Sequence, residues 1–219
     1  KLFDYQINEI NWSKLENLIY LDISNNSISN FSEYLKSKSI KNLKASNNKI
    51  SNFTISSRLE SLDLSNNKLG DLELAGLNLK KLNVSFNSIE SFKSTKNTSL
   101  VDINLSDNKL KILNFDDENK VQILSLSNNQ LDDSIYKHIG KCSNLKNLDI
   151  KQNKVSSLEN ISTLNKLKSL NIIDTRVSEI SLNDIPDSLK EIHISKIEIE
   201  NKMNSFFKLS EDGRVLKRN

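Results

Sequence analysis

The residues of this chain whose types could do chemistry are few and dispersed. Two histidines, His138 and His193, and a single cysteine, Cys142, are the candidates for a nucleophile–base pair or a metal site. Either use requires the groups to lie within hydrogen-bonding or coordination reach of one another. His138 falls in the segment 132–140, which begins with two aspartates, ends in glycine and reads as a short helix. His193 falls in Glu191-Ile192-His193-Ile194, where polar and apolar residues alternate as in a half-buried strand. The two imidazoles are thus expected on different faces, too far apart to share a metal, with His138 exposed to solvent and His193 available at most as a partner contact. Cys142 stands three residues before an aliphatic position that recurs through the chain, so packing rather than reactivity is its expected role. The acidic runs Asp116-Asp117-Glu118 and Asp132-Asp133 lack the ordered spacing of a calcium loop and read as turn and helix-start residues. No catalytic residue, metal or cofactor is expected.

The elements that would position any site come from one repeated pattern. Asn26, Asn48, Asn67, Asn87, Asn108, Asn129 and Asn153 each stand eight residues after an aliphatic opener and two before another aliphatic residue. The openers are Leu18, Ile40, Leu59, Leu79, Leu100, Val121 and Leu145, and Leu167 and Leu189 continue the register with Thr175 and Ile197 in place of Asn. Leu59-Glu60-Ser61-Leu62-Asp63-Leu64-Ser65-Asn66-Asn67-Lys68-Leu69 shows the pattern L-x-x-L-x-L-x-x-N-x-L without a substitution. Within it the period of two predicts one short strand per repeat. Where the backbone turns inward after the strand, a buried carboxamide, with both donor and acceptor, is suited to pair with the loop backbone of its own and the adjacent turn. Ile28, Ile50, Leu69, Ile89, Leu110, Leu131 and Val155 close the core, with Phe31, Phe53, Leu72, Phe92, Leu113 and Leu158 as its next layer. The spacings of 19–21 residues from Ile40 to Val121 are too short for a regular return helix, which predicts extended or 3₁₀ segments there.

This pattern, about 21 residues long on average, resembles the leucine-rich-repeat family. The resemblance implies an α/β solenoid, a curved horseshoe with a concave parallel β-sheet of about nine short strands, a mostly non-helical convex side and a buried asparagine ladder. The segment 1–199 reads as the solenoid, with a partial repeat at 1–17, and 200–219 as a carboxyl-terminal cap and tail. An amphipathic capping helix is expected over 200–209, followed by a mobile tail from Gly213. Subtype signals are mixed: Asp184-Ile185-Pro186-Asp187-Ser188-Leu189 is similar to short bacterial effector repeats, and 145–167 to the 22-residue internalin class.

The resemblance also places function on the concave face, at the variable strand positions. These are Tyr20 and Asp22, Asn42 and Lys44, Ser61 and Asp63, Lys81 and Asn83, Asp102 and Asn104, Ile123 and Ser125, Asn147 and Asp149, Ser169 and Asn171, Glu191 and His193. Partner contacts are expected from Tyr20, Asp22, Lys44, Asp63, Lys81, Phe86, Asp102, Ile123, Asp149 and His193. Tyr20, Ile123 and Phe86 are apolar where the pattern is otherwise polar, as interface anchors often are. Lys41, Lys80, Lys146, Lys168 and Lys190 form an interrupted basic edge that reads as solvated.

Composition narrows the classes further. A net charge of +3 with 27% charged residues gives no field that by itself predicts nucleic-acid or membrane binding, and no apolar run is long enough to span a bilayer. A lone cysteine excludes an internal disulfide and favours a reducing compartment or a bacterial origin. Eight N-x-S/T triplets, at Asn11, Asn25, Asn30, Asn52, Asn83, Asn97, Asn104 and Asn160, are about what a chain with 32 asparagines yields by chance. The expectation is a noncatalytic module whose partner is a protein or peptide. The alternatives are the recognition part of a larger enzyme, such as an effector ligase or receptor kinase, and a surface adhesin or structural repeat. A start at Lys1 in mid-repeat fits a trimmed or processed product.

Overall fold

The computed structural model describes residues 17–29, 39–53, 58–75, 78–95, 99–195, 198–199, 206–211 and 214–218. The partial repeat at 1–16, Phe31 and Ile197 lie outside them. Among the described residues nine three-residue strands pair in parallel, one per repeat: β1 Tyr20–Asp22, β2 Asn42–Lys44, β3 Ser61–Asp63, β5 Lys81–Asn83, β7 Asp102–Asn104, β9 Ile123–Ser125, β10 Asn147–Asp149, β11 Ser169–Asn171 and β13 Glu191–His193. Every strand buries its central residue and turns its first and third residues the other way, as the period of two requires. The register is uniform, so equivalent positions form continuous rows: Tyr20 pairs with Asn42, Ser61 with Lys81, Ile123 with Asn147. The openers from Ile40 onward, the strand centres and the aliphatic residues after the strands stack into one core. Leu18, next to the undescribed segment, is partly exposed.

On the convex side, the short returns take extended form: β4 Leu72–Ala75, β6 Ser91–Thr95 and β8 Ile112–Phe115 make a second parallel sheet. Leu72, Phe92 and Leu113 meet in register and are buried, as the second core layer predicts, and Phe92 meets Phe115 edge-on with ring centroids 5.9 Å apart. The longer return after Leu131 winds through a 3₁₀ turn, Asp133–Ile135, into the short helix α1, Tyr136–Ile139, with Asp132 accepting from the Ser134 N–H at the start and Gly140 following its end. A second convex pair, β12 Glu179–Ile180 and β14 Glu198–Ile199, follows.

The ladder is built as the pattern demands. Each rung from Asn48 to Asn153 donates its carboxamide N–H to two carbonyls of its own turn and one of the turn before, at 2.9–3.2 Å. Its oxygen accepts a backbone N–H from that preceding turn, as Asn48 does from Ile28 and Asn153 from Leu131. Thr175 keeps only a bond to Ile172 O.

The carboxyl terminus departs from expectation. Residues 200–205 lie outside the description, but Phe207–Leu209 is a strand, β15, rather than the end of a helix. The expected tail contains β16, Val215–Arg218, which pairs antiparallel with both β13 and β15. Phe207 and Leu216 are buried, and the Arg218 guanidinium lies 5.2 Å from the Phe207 ring centroid. Alternation of apolar and polar side chains along both segments suits a sheet edge, and two added strands cover the last turn of the core where a helix was expected.

Candidate binding face

The concave face carries two rows of outward side chains, one from the first and one from the third residue of each strand. The second row is largely committed to structure. Asp22 accepts from the Ser24 N–H at 3.2 Å, Asp63 from Ser65 at 3.0 Å, Asn83 from Ser85 at 3.2 Å, Asn104 from Ser106 at 3.0 Å, Asp149 from Lys151 at 3.1 Å and Asn171 from Ile173 at 3.2 Å. A side-chain oxygen two residues before an amide pairs the N–H that would otherwise be left open as the chain leaves the strand. Asp22, expected as a contact, is only 6% exposed and uses its other oxygen for the Tyr20 hydroxyl at 3.4 Å, so it is withdrawn from the surface. Asp63 and Asp149 remain half-buried, each with one oxygen tied to its turn. The signal was present in the sequence as Asp or Asn two residues before the turn amide, repeated in six strands.

Lys44, Lys81, Tyr20 and Ile123 are exposed, and Asp102 and His193 half-exposed. The three apolar residues do not form one patch. Tyr20 and Ile123 share a row five strand intervals apart, roughly 24 Å at ~4.8 Å per strand. Phe86 lies at the rim where the chain leaves β5. It is 58% exposed and holds φ at 55°. The equivalent residues in neighbouring turns, Asn25, Asn47, Asn66, Asp107, Asn128, Gln152 and Asp174, share this left-handed conformation, which costs an aromatic side chain more than it costs Asn or Asp. They form an exposed row of their own: Asn47 donates to Asn25 at 2.8 Å, Asn66 to Asn47, and Asn128 to Asp107 at 2.8 Å. Phe86 interrupts it.

Beyond Ile123 the face sinks into a depression of about 250 Å³, lined by Ile123, Ser125, Asn147, Asp149, Ser169, Asn171 and His193 with Leu124 and Leu148 beneath. Ser125, Asn147, Ser169 and Asn171 were absent from the expected contact set, because their small polar side chains give no individual signal and only the sheet register assembles them. At the rim Ser169 Oγ donates to Glu191 Oε1 at 2.9 Å, and His193 Nε2 lies 3.6 Å from the same oxygen. The serine hydroxyl is bonded to the carboxylate rather than to the imidazole, so this trio lacks the serine–imidazole contact that activates a nucleophile.

The other chemical candidates are structural. His138 sits on α1, away from His193, and is half-buried rather than exposed. Its Nδ1 is buried without a partner, and burial, then the charges of Lys137 and Lys141, lower its pKa. Cys142 is fully buried, which pushes its thiol up to about 12. Among the described residues no group of His, Cys, Asp and Glu could hold a metal ion, and no helix is long and apolar enough to cross a membrane. The basic edge is partly neutralised by the residues that interrupt it. Glu60 lies 2.8 Å from Lys80 and 3.2 Å from Lys41, whose hydrogen bonds hold its carboxyl below the ordinary value, and Lys146 donates to Gln122 at 2.8 Å.

The sequence model described as Leucine Rich Repeat matches residues 17–37, 58–77 and 120–142, each containing or leading into one of the strands described above. The chain carries leucine-rich repeats. The leucine-rich repeat domain of APL1B superposes over 94% of this leucine-rich-repeat chain and 73% of its own, with a TM-score of 0.72 at 18% identity. A leucine-rich-repeat protein of Leptospira interrogans aligns over 86% of this chain and 51% of its own, with a TM-score of 0.70 at 22% identity. Internalin C2 of Listeria monocytogenes covers 85% of this chain and 84% of its own at a TM-score of 0.60 and 18% identity. These likenesses establish the fold. In sequence, 120 residues are 34% identical to the immunoglobulin domain and leucine-rich repeat-containing protein 2 of Caenorhabditis elegans, over 51% of this chain and 15% of that one. The chain thus spans a small part of its curated relative and about half of the Leptospira protein.

Proposed function

We propose that this leucine-rich-repeat protein is a noncatalytic binding module that holds a protein or extended peptide across its concave face. The observation that carries this reading is the uncovered side of the parallel sheet. Parallel sheets are ordinarily covered on both faces, whereas among the described residues the convex strands and turns cover only one, and the other presents rows of small, polar and mixed-charge side chains. Nine strands at ~4.8 Å give a face roughly 38 Å long, sufficient for an interface of standard size. Lys44, Lys81, Asp102, Ile123 and His193 would make the contacts, with Tyr20 and Phe86 as anchors at the end and the rim. Phe86 adds weight because an aromatic residue in left-handed backbone, mostly exposed, gains little packing in return for its conformational cost.

Support for a role within a larger polypeptide comes from the relative that joins such repeats to an immunoglobulin domain and is several times longer than the match. The test is capture of a binding protein by wild type beside a Tyr20→Ala, Phe86→Ala, Ile123→Ala triple variant. Loss of the partner from the variant, with its melting temperature retained, is the expected result. Equal recovery on both would overturn the choice of face.

A further inference from the structure

The concave face does not carry its charge evenly. Across β7, β9, β10, β11 and β13 the outward positions hold three carboxylates, Asp102, Asp149 and Glu191, and no lysine or arginine. Nearer the amino end, β2 and β5 present Lys44 and Lys81, and beyond Glu191 the same row continues with Lys217 and Lys208. The acidic stretch is therefore bounded on both sides, and the depression beside Ile123 lies within it. At about 250 Å³ the depression is smaller than the roughly 300–1,000 Å³ of a small-molecule site, a size suited to one long side chain.

We propose that this depression seats an arginine side chain of an extended peptide segment in the partner, an assignment that rests on the concave face being the binding face. Ile123, 38% exposed, offers an apolar wall for the methylene stem. The head group then meets Asp149, whose Oδ1 is engaged by the Lys151 N–H, which leaves Oδ2, while Glu191, held through Oε1 by Ser169, stands at the rim. A planar guanidinium presents several donors at fixed angles and can take a carboxylate and the Asn147 carboxamide oxygen together, which an ammonium group does less well. Lys146, the nearest lysine before β10, is turned along the strand-entry edge to Gln122, and the outward positions of β9, β10 and β11 place no cation beside Asp149.

The experiment is a selection from a phage-displayed library of random dodecapeptides on the full chain, run in parallel on a variant carrying Asp149→Asn and Glu191→Gln. Both substitutions keep the oxygen that accepts the structural hydrogen bond, so folding is preserved and only charge is lost. The expected result is at least a fivefold enrichment of arginine over its library frequency on wild type, absent on the variant, with binding of the selected peptides abolished by Ile123→Arg. Peptides that depend on Ile123 but show no arginine enrichment, or equal enrichment on both proteins, would overturn the arginine seat while leaving the concave face as the binding face. Peptides indifferent to Ile123→Arg would overturn the seat, and peptides indifferent also to the Tyr20→Ala, Phe86→Ala, Ile123→Ala triple variant would overturn the concave reading with it.

Discussion

The Asn129 carboxamide donates to the Leu105 carbonyl at 3.0 Å, twenty-four residues earlier in the chain, while its oxygen accepts the Leu110 N–H at 2.8 Å. Replacing it by alanine leaves carbonyls of Leu105, Leu126 and Ser127 and one amide without this partner at a buried site. At about 1–3 kcal/mol for each buried unsatisfied group, with partial relaxation, a loss of roughly 3–5 kcal/mol is expected. Urea unfolding monitored by circular dichroism measures it, and a loss below about 1 kcal/mol would show that the ladder is dispensable.

At the far end of the ladder the Thr175 side chain makes a single bond, to Ile172 O at 2.8 Å. Thr175→Asn should restore a rung and stabilise the chain by about 1 kcal/mol, the usual net value of an added hydrogen bond. A lowered urea midpoint would mean that the turns there no longer follow the geometry of the regular repeats.

Phe86 should respond in the opposite direction to an ordinary core aromatic. Left-handed backbone costs a bulky residue roughly 1–2 kcal/mol more than it costs Asn or Gly, and the exposed ring gains little packing. Phe86→Asn should raise the melting temperature by a few degrees, and its side chain would stand between Asn66 and Asp107 in the exposed row. The same substitution should weaken partner binding. A stabilised variant that binds as wild type does would remove Phe86 from the anchors.

How much of this was legible in the sequence varied with the physics behind each residue. Leucine and asparagine positions are dictated by burial and by backbone pairing, both local and repeated, so core, strands and ladder could be read from spacing alone. The carboxyl-terminal hairpin was missed because Phe206-Phe207-Lys208-Leu209 fits a helical and a strand pattern equally over so short a run. The signal in the sequence was an Asp-Gly dipeptide, of a kind frequent in hairpin connections, between two alternating segments. Asp22, Asp63 and Asp149 were read as solvent-facing from alternation, which gives the direction of a side chain but not whether a nearby amide has already claimed it. The depression was invisible because it belongs to four strands at once.

Cys142 supplies a pH-dependent prediction. Burial raises its pKa to about 12 from an ordinary value near 9, so above pH 9 the unfolded chain ionises this thiol while the folded chain keeps it neutral. Stability contributed by the neutral thiol is complete below pH 9 and declines as pH rises from 9 towards 12. The difference in melting temperature between wild type and Cys142→Ala should therefore change with pH over that window, in the direction that disfavours wild type. Alkylation by iodoacetamide at pH 8.5 should be slow on the folded protein and rapid in denaturant. Rapid labelling of the native chain would contradict the packing.

Asp63 separates the structural from the recognition role of the second concave row. Its Oδ1 accepts both the Ser65 N–H at 3.0 Å and the Ser65 hydroxyl at 2.7 Å, while the carboxylate remains half-exposed beside Lys44 in register. Asp63→Asn preserves an acceptor in the same place and should alter stability by less than about 0.5 kcal/mol, whereas Asp63→Ala should cost about 1–2 kcal/mol, as loss of a local side-chain-to-backbone cap does. If the charge itself contacts a partner, Asp63→Asn will weaken binding despite its unchanged stability. If the oxygen serves only the turn, Asp63→Asn will bind as wild type does and Asp63→Ala will affect binding only as far as it loosens the turn. Urea titration and a binding isotherm on the same two variants therefore distinguish a capping residue from a contact residue at a position where the sequence alone makes them look alike.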